Sequence, residues 1–347
     1  MKSKVKKVLK SIIGEEGAYN LRNFRKRNRI WLFFDLLYNF ISDFKRYFID
    51  STLFIKNVLS KKEANIILEY HRIEKGLLHD NTRLRFAEKS IKLLHNYLKD
   101  DEILLLKDKT QIMTAMQIMC QYYELHKKLN ANIEDYFSEA QYLEYKRILG
   151  DNYLPTFEGT VAYNMLDFYK NAESDFFNFS NSRRSIRNFT GDLVEDDLIK
   201  KAVKLATNAP SVCNRQASKV YLVDDKKKID KILAIQGGFS GYSQKVSQLL
   251  IVTTDRNYFY TIGERSQFFI DGGIFLMNLL YSLHFYKIAN CPANWGKTVQ
   301  AERKLSNVIT LPKSEKIICL VPIGVAVEEF KVCLSKRRDL DEVLHKI

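Results

Sequence analysis

Two short stretches carry side chains suited to holding an anionic, partly aromatic ligand. Arg183-Arg184-Ser185-Ile186-Arg187-Asn188-Phe189 gathers guanidinium groups around a hydroxyl. In an extended chain Arg183, Ser185 and Arg187 point to one side; in a helix Arg183 and Arg187 share a face. Two guanidinium groups converge in both cases, and the planar Arg fork suits bidentate phosphate binding. A basic run is usually an ordinary solvated face, so this stretch alone is a weak signal. The second stretch, Ala209-Pro210-Ser211-Val212-Cys213-Asn214-Arg215-Gln216, is a Pro-broken turn between a helix pattern and a strand pattern. There the amides of Asn214 and Gln216 can meet the edge of a heterocycle. Lys336-Arg337-Arg338 offers more positive charge near the C-terminus.

A third cluster, His71-Arg72-Ile73-Glu74-Lys75-Gly76-Leu77, has two readings. His71 and Lys75 are four apart and share a helix face that Gly76 can close. As chemistry, His, Glu and Lys together make an acid–base set. As structure, they are a helix end with satisfied charges.

Other chemistries find less support. No G-x-G-x-x-G or G-x-x-x-x-G-K-[ST] occurs, and Gly296-Lys297-Thr298 has Cys291 where a phosphate loop needs its leading glycine. The five cysteines are scattered without C-x-x-C or a histidine at ligand spacing, which argues against structural zinc, an iron–sulfur cluster or a disulfide framework. We therefore expect no metal.

The chain has 347 residues, enough for two domains, and its 46% apolar content supplies a core. A net charge of +14 fits nucleic acid, an anionic membrane face or an anionic cofactor, without choosing among them. Half of that excess, +7, falls in residues 1–50, where Lys2 to Lys10 and Arg22 to Arg29 precede Ile30-Trp31-Leu32-Phe33-Phe34. Such a segment can lie on an anionic membrane surface. It is otherwise a solvated helix followed by a core-facing one, and Asp35 and Asp43 favour this plainer reading. No secretory pattern and no run near the ~20 apolar residues of a membrane span is evident, so a cytoplasmic location is expected.

Residues 53–169 carry helical periodicity nearly throughout, with Met113, Met116, Ile118, Met119 and Tyr122 as a core stripe. Ser174 to Ser182 reads as a polar, aromatic linker, which sets the expected domains at 1–177 and 178–347. The second half alternates signals: a helix begun by Glu195-Asp196-Asp197, strands at Val220–Val223 and Leu249–Val252, and a long helix from Phe268 to Tyr286. A buried strand interrupted by Pro322 follows. The fold class is α+β.

In this order the pieces R-R-S-x-R-x-F, A-P-S-x-x-N-x-Q, Asp271-Gly272-Gly273 opening a long helix, Cys291-Pro292-Ala293-Asn294-Trp295, Pro322-Ile323-Gly324 and Lys336-Arg337-Arg338 resemble the FMN-dependent nitroreductase family over residues 180–345. The resemblance implies a mixed sheet flanked by helices, after a mostly helical N-terminal region. It also implies an intertwined homodimer with FMN at the subunit interface, and a small-molecule acceptor rather than nucleic acid. Arg183, Arg184, Ser185 and Arg187 would contact the phosphate, ribityl chain and ring edge. Asn214, and less closely Gln216, would meet the ring or ribityl chain, Asn294 would lie in a loop at the flavin face, and Lys336 and Arg338 would complete the phosphate site. The implied reaction passes electrons from NADH or NADPH through FMN to an acceptor in ping-pong order, with no catalytic nucleophile. Ala217-Ser218 stands where the family often has Pro-Trp, which leaves the acceptor open. The alternatives are a flavin-dependent oxidation or dehalogenation step, and a membrane-associated scaffold whose flavin domain has lost turnover. More loosely, the His71–Leu77 region is similar to an extension on nitroreductase-like proteins associated with bacterial surface-polysaccharide genes.

Overall fold

The computed structural model describes residues 28–50, 58–79 and 82–347, together with Gly14 and Gly17. The basic residues from Lys2 to Arg27 lie outside the described residues. Two compact units are formed, Met1–Val58 with Tyr260–Arg265, and Leu59–Phe259 with Ser266–Ile347.

The first unit holds helix α1 (Arg29–Asp50). Asn28 Oδ1 accepts the Ile30 N–H at 3.0 Å, satisfying one of the free donors at the helix start. Arg265 clasps Asp43 through two bonds of 2.6 and 2.8 Å. Ile30, Phe33, Phe34, Tyr38, Ile41 and Phe44 are all exposed on this helix.

The second unit begins with a helical cluster: α2 (Leu59–Leu77), α3 (Glu88–Leu98), α4 (Asp101–Leu104), α5 (Thr110–Lys128) and α6 (Glu139–Leu149). Helix α5 is buried on nearly every side, and Met116 and Met119 are core residues as expected. Ser138 and Gln141 form a capping box that starts α6. The helical pattern then gives way to strand β1 (Thr160–Asn164), which pairs antiparallel with the later strand β7 (Glu329–Cys333). That strand was hidden in the expected helical stretch, although Thr160, Val161 and Tyr163 favour a strand. Helix α7 (Met165–Tyr169) follows, then α8 (Phe176–Ser182). The expected linker at Ser174–Ser182 is thus a short helix, because Asp175 caps it by accepting the Asn178 N–H at 3.1 Å.

The remaining elements are α9 (Asp196–Ala206), β2 (Ser218–Val223), α10 (Lys226–Gln236), β3 (Gln248–Asp255) and α11 (Gln267–Phe285). After them come β4 (Ala289–Asn290), β5 (Ala293–Asn294), α12 (Val299–Ser306) and β6 (Glu315–Gly324). The main sheet runs β2-β3-β6-β4, with β5 also on β6. Its ladders among the described residues are all antiparallel. Strand β3 is buried along its whole length and alternates between two cores. Leu249 and Ile251 join Ile229, Ile232 and Leu305 from α10 and α12. Leu250 and Val252 join Ala202 from α9 and Leu279 and Leu283 from α11. This period of two places helices on both faces of the sheet, the expected α+β arrangement.

Two local expectations change. Strand β6 runs through Pro322 rather than breaking there. Pro322 O accepts the Cys291 N–H at 3.2 Å, so the missing proline N–H faces the gap between the two-residue strands β4 and β5, where no ladder partner is required. Helix α11 is long and apolar enough to cross a membrane by length and composition. Here it buries Asp271, Phe275, Leu279 and Leu283.

Gly272 and Gly273 of α11 differ in their surroundings. A Cβ on Gly272 would stand 2.6 Å from both Ile318 Cγ1 and Thr254 Oγ1, whereas nothing lies within 4 Å of one on Gly273. Gly272→Ala is expected to lower the unfolding free energy by about 1–3 kcal/mol, the usual cost of overpacking. Gly273→Ala should cost less than half as much. Urea midpoints of the two variants check this, and equal midpoints would reject the close helix–sheet approach at Gly272.

Candidate functional site

The chain leaves α8 extended at Arg183. Ile186 N–H donates to Asn290 O at 3.0 Å, Val327 N–H to Asn188 O at 3.3 Å and Thr190 N–H to Val325 O at 3.0 Å. These bonds wedge the segment between β4 and the chain leaving β6, with Ile186 and Phe189 in the core. The extended alternative is therefore realised, and Arg183, Ser185 and Arg187 meet around the Cys291 thiol. Burial pushes that thiol up, opposed by Arg187, a hydrogen bond with Ser185, Arg183 and Lys75.

The charges of this cluster are poorly matched. Arg183 is pushed down by burial, then by Arg337 and Arg184. Its Nη1 is buried without a hydrogen-bond partner. Arg187 Nη1 lies 3.8 Å from Cys333 Sγ. Burial opposes the Arg187 charge, and Cys291, Cys333 and Tyr242 outweigh that opposition, leaving it raised. Cys333 itself is pushed up to about 11 by burial, so it is a neutral thiol near pH 7 and gives no counter-charge. Lys75 is pushed down by burial and then by Arg187. Cations gathered against neutral thiols lack a charge of opposite sign, which a buried charge needs.

The helical cluster reaches this point through α2. Glu74 is buried; its Oε2 lies 2.7 Å from His71 Nδ1, and its Oε1 accepts the Ser335 N–H at 3.3 Å. Ligand atoms of His71, Glu74 and Cys333 lie within 4.8 Å of one another, a grouping their sequence spacing does not reveal. With Arg187 on Cys333 and Lys75 beside it, the local field opposes a cation there.

The other expected residues are more dispersed. Arg184 donates to Asn181 O at 2.6 Å, at the end of α8. Lys336 O accepts from Gln111 Nε2 at 3.1 Å. Arg338 pairs with Glu63 and Glu342 at 2.8 and 2.9 Å. Between them, Arg337 is the residue of this run whose charge reaches Arg183. Asn294 is exposed on β5; its Oδ1 accepts the Gly296 N–H at 3.1 Å. Asn214 and Gln216 sit in a turn with left-handed φ of 55° and 50°, and Gln216 Nε2 donates to Asn214 Oδ1 at 3.0 Å. The Val212 N–H donates to Asp271 Oδ2 at 3.1 Å, which ties the turn to α11.

Turn and arginines stand at opposite ends of the sheet. Ala217 O accepts the Asp255 N–H at one end of β3, while Asn290 pairs with Ile323, which pairs with Gln248 at the other end. At about 3.3 Å per residue, this separates them by roughly 20 Å within one chain. Lys75, Arg337, Cys291 and Cys333 were not foreseen as a group. The H-R-I-E-K-G stretch and the loop at Cys291 were the signals available for two of them.

His284 lies behind the arginine segment, its Nε2 2.7 Å from Ser182 Oγ. Burial, then Arg183 and Arg184, push it down to about 4. Between pH values of about 6.5 and 4, the unfolded chain binds a proton that folded His284 refuses. Its contribution to stability is therefore present above that window and lost as pH falls through it. His284→Gln is expected to remove about 2 kcal/mol of the stability lost between pH 7 and pH 5. Urea unfolding at both values measures it; an unchanged loss would show that His284 does not stay neutral in the fold.

Comparison with known proteins bears on this site. Residues 181–240, which include the arginine segment and the Asn214 turn, match the Nitroreductase family. The chain is 23% identical over 205 residues to iodotyrosine deiodinase of Hydra vulgaris, covering 50% of this chain and 73% of that protein. A Desulfovibrio desulfuricans protein solved in complex with FMN is 22% identical, with a TM-score of 0.44, over 50% of this chain and 98% of the other. A nitroreductase-like protein from Streptococcus mutans is 20% identical, with a TM-score of 0.42, over 50% and 98%.

Proposed function

We propose that this protein is an FMN-dependent oxidoreductase of the nitroreductase kind. The observation that carries this reading is the Arg183 guanidinium, whose Nη1 is buried without a partner among the described residues, beside Arg187, whose Nη1 lies against the Cys333 thiol. That arrangement suits a phosphate-bearing cofactor, and the family match over residues 181–240 supports FMN as the one. When bound, FMN supplies hydride acceptance from NADH or NADPH and electron delivery to a small-molecule acceptor, in ping-pong order.

The chain's own residues bind and orient. Arg183, Arg184, Ser185 and Arg187 hold the phosphate, ribityl chain and ring edge, with Arg337 of the C-terminal basic run at the phosphate in place of Arg338, which Glu63 and Glu342 hold. Ile186 and the Cys291 thiol close the site from behind and exclude water, which strengthens every charge interaction inside it. Asn214 and Gln216 serve the ring from a second copy of the chain, since within one chain the turn stands far from the arginines, while Asn294, three residues beyond Cys291, lies in the loop at the flavin face. An exposed apolar stripe on α11 (Phe269, Ile270, Ile274 and Met277) supports such a homodimer. We place the enzyme in the cytoplasm, where its reductant is found, with a role in surface-polysaccharide metabolism. Dehalogenation of a small molecule is the second reading, favoured by the likeness to a protein named as a deiodinase.

The purified protein is expected to be yellow with a flavin spectrum that NADH or NADPH bleaches. Arg183→Ala combined with Arg187→Ala should lower bound FMN at least tenfold. Unchanged flavin content in this variant would refute the placement of the phosphate, and a colourless protein that takes up no FMN would remove the whole reading.

Residues 1–50 combine a net charge of +7 with the exposed aromatic helix α1, which together favour peripheral binding to anionic lipid. The full chain should float with vesicles containing phosphatidylglycerol, and a chain lacking residues 1–50 should not. Equal flotation of the two would end the idea.

A further inference from the structure

One cation of the site comes from neither the arginine segment nor the C-terminal basic run. Lys75 belongs to α2, in the helical cluster that the flavin chemistry leaves without a role. We propose that Lys75 is a binding residue of the same anion site as Arg183 and Arg187, and that it takes part of the charge of a phosphate-bearing ligand. The proposal rests on the reading of that site as a cofactor site and extends it to the N-terminal helical region.

The geometry delivers Lys75 to the site deliberately. Tyr242 OH donates to Lys75 O at 2.6 Å, and the His79 ring stacks on Tyr242 with centroids 4.8 Å apart. Glu74, one residue earlier, is buried and tied to both His71 and the Ser335 N–H. Gly76, one residue later, has the Phe86 ring where a Cβ would be, so the helix end lies flat against the core. Of the three consecutive positions Glu74, Lys75 and Gly76, Lys75 is anchored through its backbone alone, and its side chain is left for another task.

Its surroundings define that task. The groups that weigh most on the Lys75 ammonium, after burial, are Arg187, Cys333, Arg72 and Cys291, two guanidiniums and two thiols, and Lys75 forms no ion pair with a carboxylate among the described residues. Glu74 is near, but both its oxygens are engaged elsewhere. Arg72 is held by Glu69 at 2.7 and 2.9 Å. A half-buried lysine beside a half-buried arginine raises the free energy of the fold unless an anion joins them. The His71–Glu74–Cys333 group acts as the clamp for this helix end, since Arg187 occupies its thiol side and the Ser335 N–H one carboxylate oxygen.

The test uses the full chain with FMN and inorganic pyrophosphate as probes. FMN affinity is read by fluorescence quenching, and stabilisation by pyrophosphate is read as the shift in melting temperature. Lys75→Met should weaken FMN binding at least tenfold, Lys75→Arg should recover most of it, and Lys128→Met, on an exposed face of α5, should bind as the wild type does. Without ligand, Lys75→Met should melt at or above the wild-type temperature, because a like charge has been removed; Lys75→Gln gives the same comparisons where the Met variant does not fold. FMN binding by Lys75→Met within twofold of wild type overturns the proposal. If the wild type takes up no FMN, yet pyrophosphate stabilises it and not Lys75→Met, Lys75 keeps its role and the cofactor reading falls. If neither probe affects the wild type, both fall.

Discussion

Positive charge held away from water without a matching negative charge is the constraint around which the second unit is arranged. Arg183, Arg187 and Lys75 converge on Cys291, whose thiol is buried and neutral at ordinary pH. Burial weakens the hydration that normally stabilises such cations, and their mutual repulsion is stronger inside a protein than in water. An arrangement of this kind is stable enough to persist only where surrounding structure fixes each residue independently. Here the backbone bonds of Ile186 and Asn188, the Glu74–Ser335 bond and the Tyr242–Lys75 bond do so. An anion bound there would relieve an electrostatic cost already present in the free protein.

That view changes the standing of the helical cluster. Its helices pack around Ile112, Met116 and Tyr122 in a core of their own. The C-terminal segment nevertheless returns across it. Thr110 donates through both its N–H and its hydroxyl to Glu342 Oε1, at 3.0 and 2.7 Å, placing a carboxylate at the start of α5 where the helix dipole favours it. Gln111, Glu63 and Glu74 receive Lys336, Arg338 and Ser335 in turn. The basic run near the C-terminus is therefore positioned by helices more than two hundred residues earlier in the chain. Of its three cations, the ion pairs of Arg338 face Glu63 and Glu342, and Arg337 turns toward Arg183.

Much of the scaffold was legible because it rests on local rules. The buried runs at Leu249–Val252 and Ile317–Val321, the acid-started helix α9 and the methionine stripe of α5 carry their periodicity in the sequence. Where local signals competed, the reading failed. Strand β1 was absorbed into a helical stretch because its partner β7 lies far along the chain. The Ser174–Ser182 segment looked like a linker because its Asn and Ser residues disfavour a helix, yet the Asp175 cap outweighed them over seven residues.

By itself, the sequence determined that arginines would cluster near a serine, that an amide-bearing turn would follow a Pro break, and that the second half would be α+β. These follow from residue type and short-range spacing, which survive in any fold the chain adopts. Only the tertiary structure decided which cations share a site. It set Lys75 beside Arg187 across more than a hundred residues, brought the Arg337 charge within reach of Arg183, and kept the Asn214 turn at the far end of the sheet. Those outcomes depend on strand register and on which helix end meets which loop, and neither is written in the local pattern of any one segment.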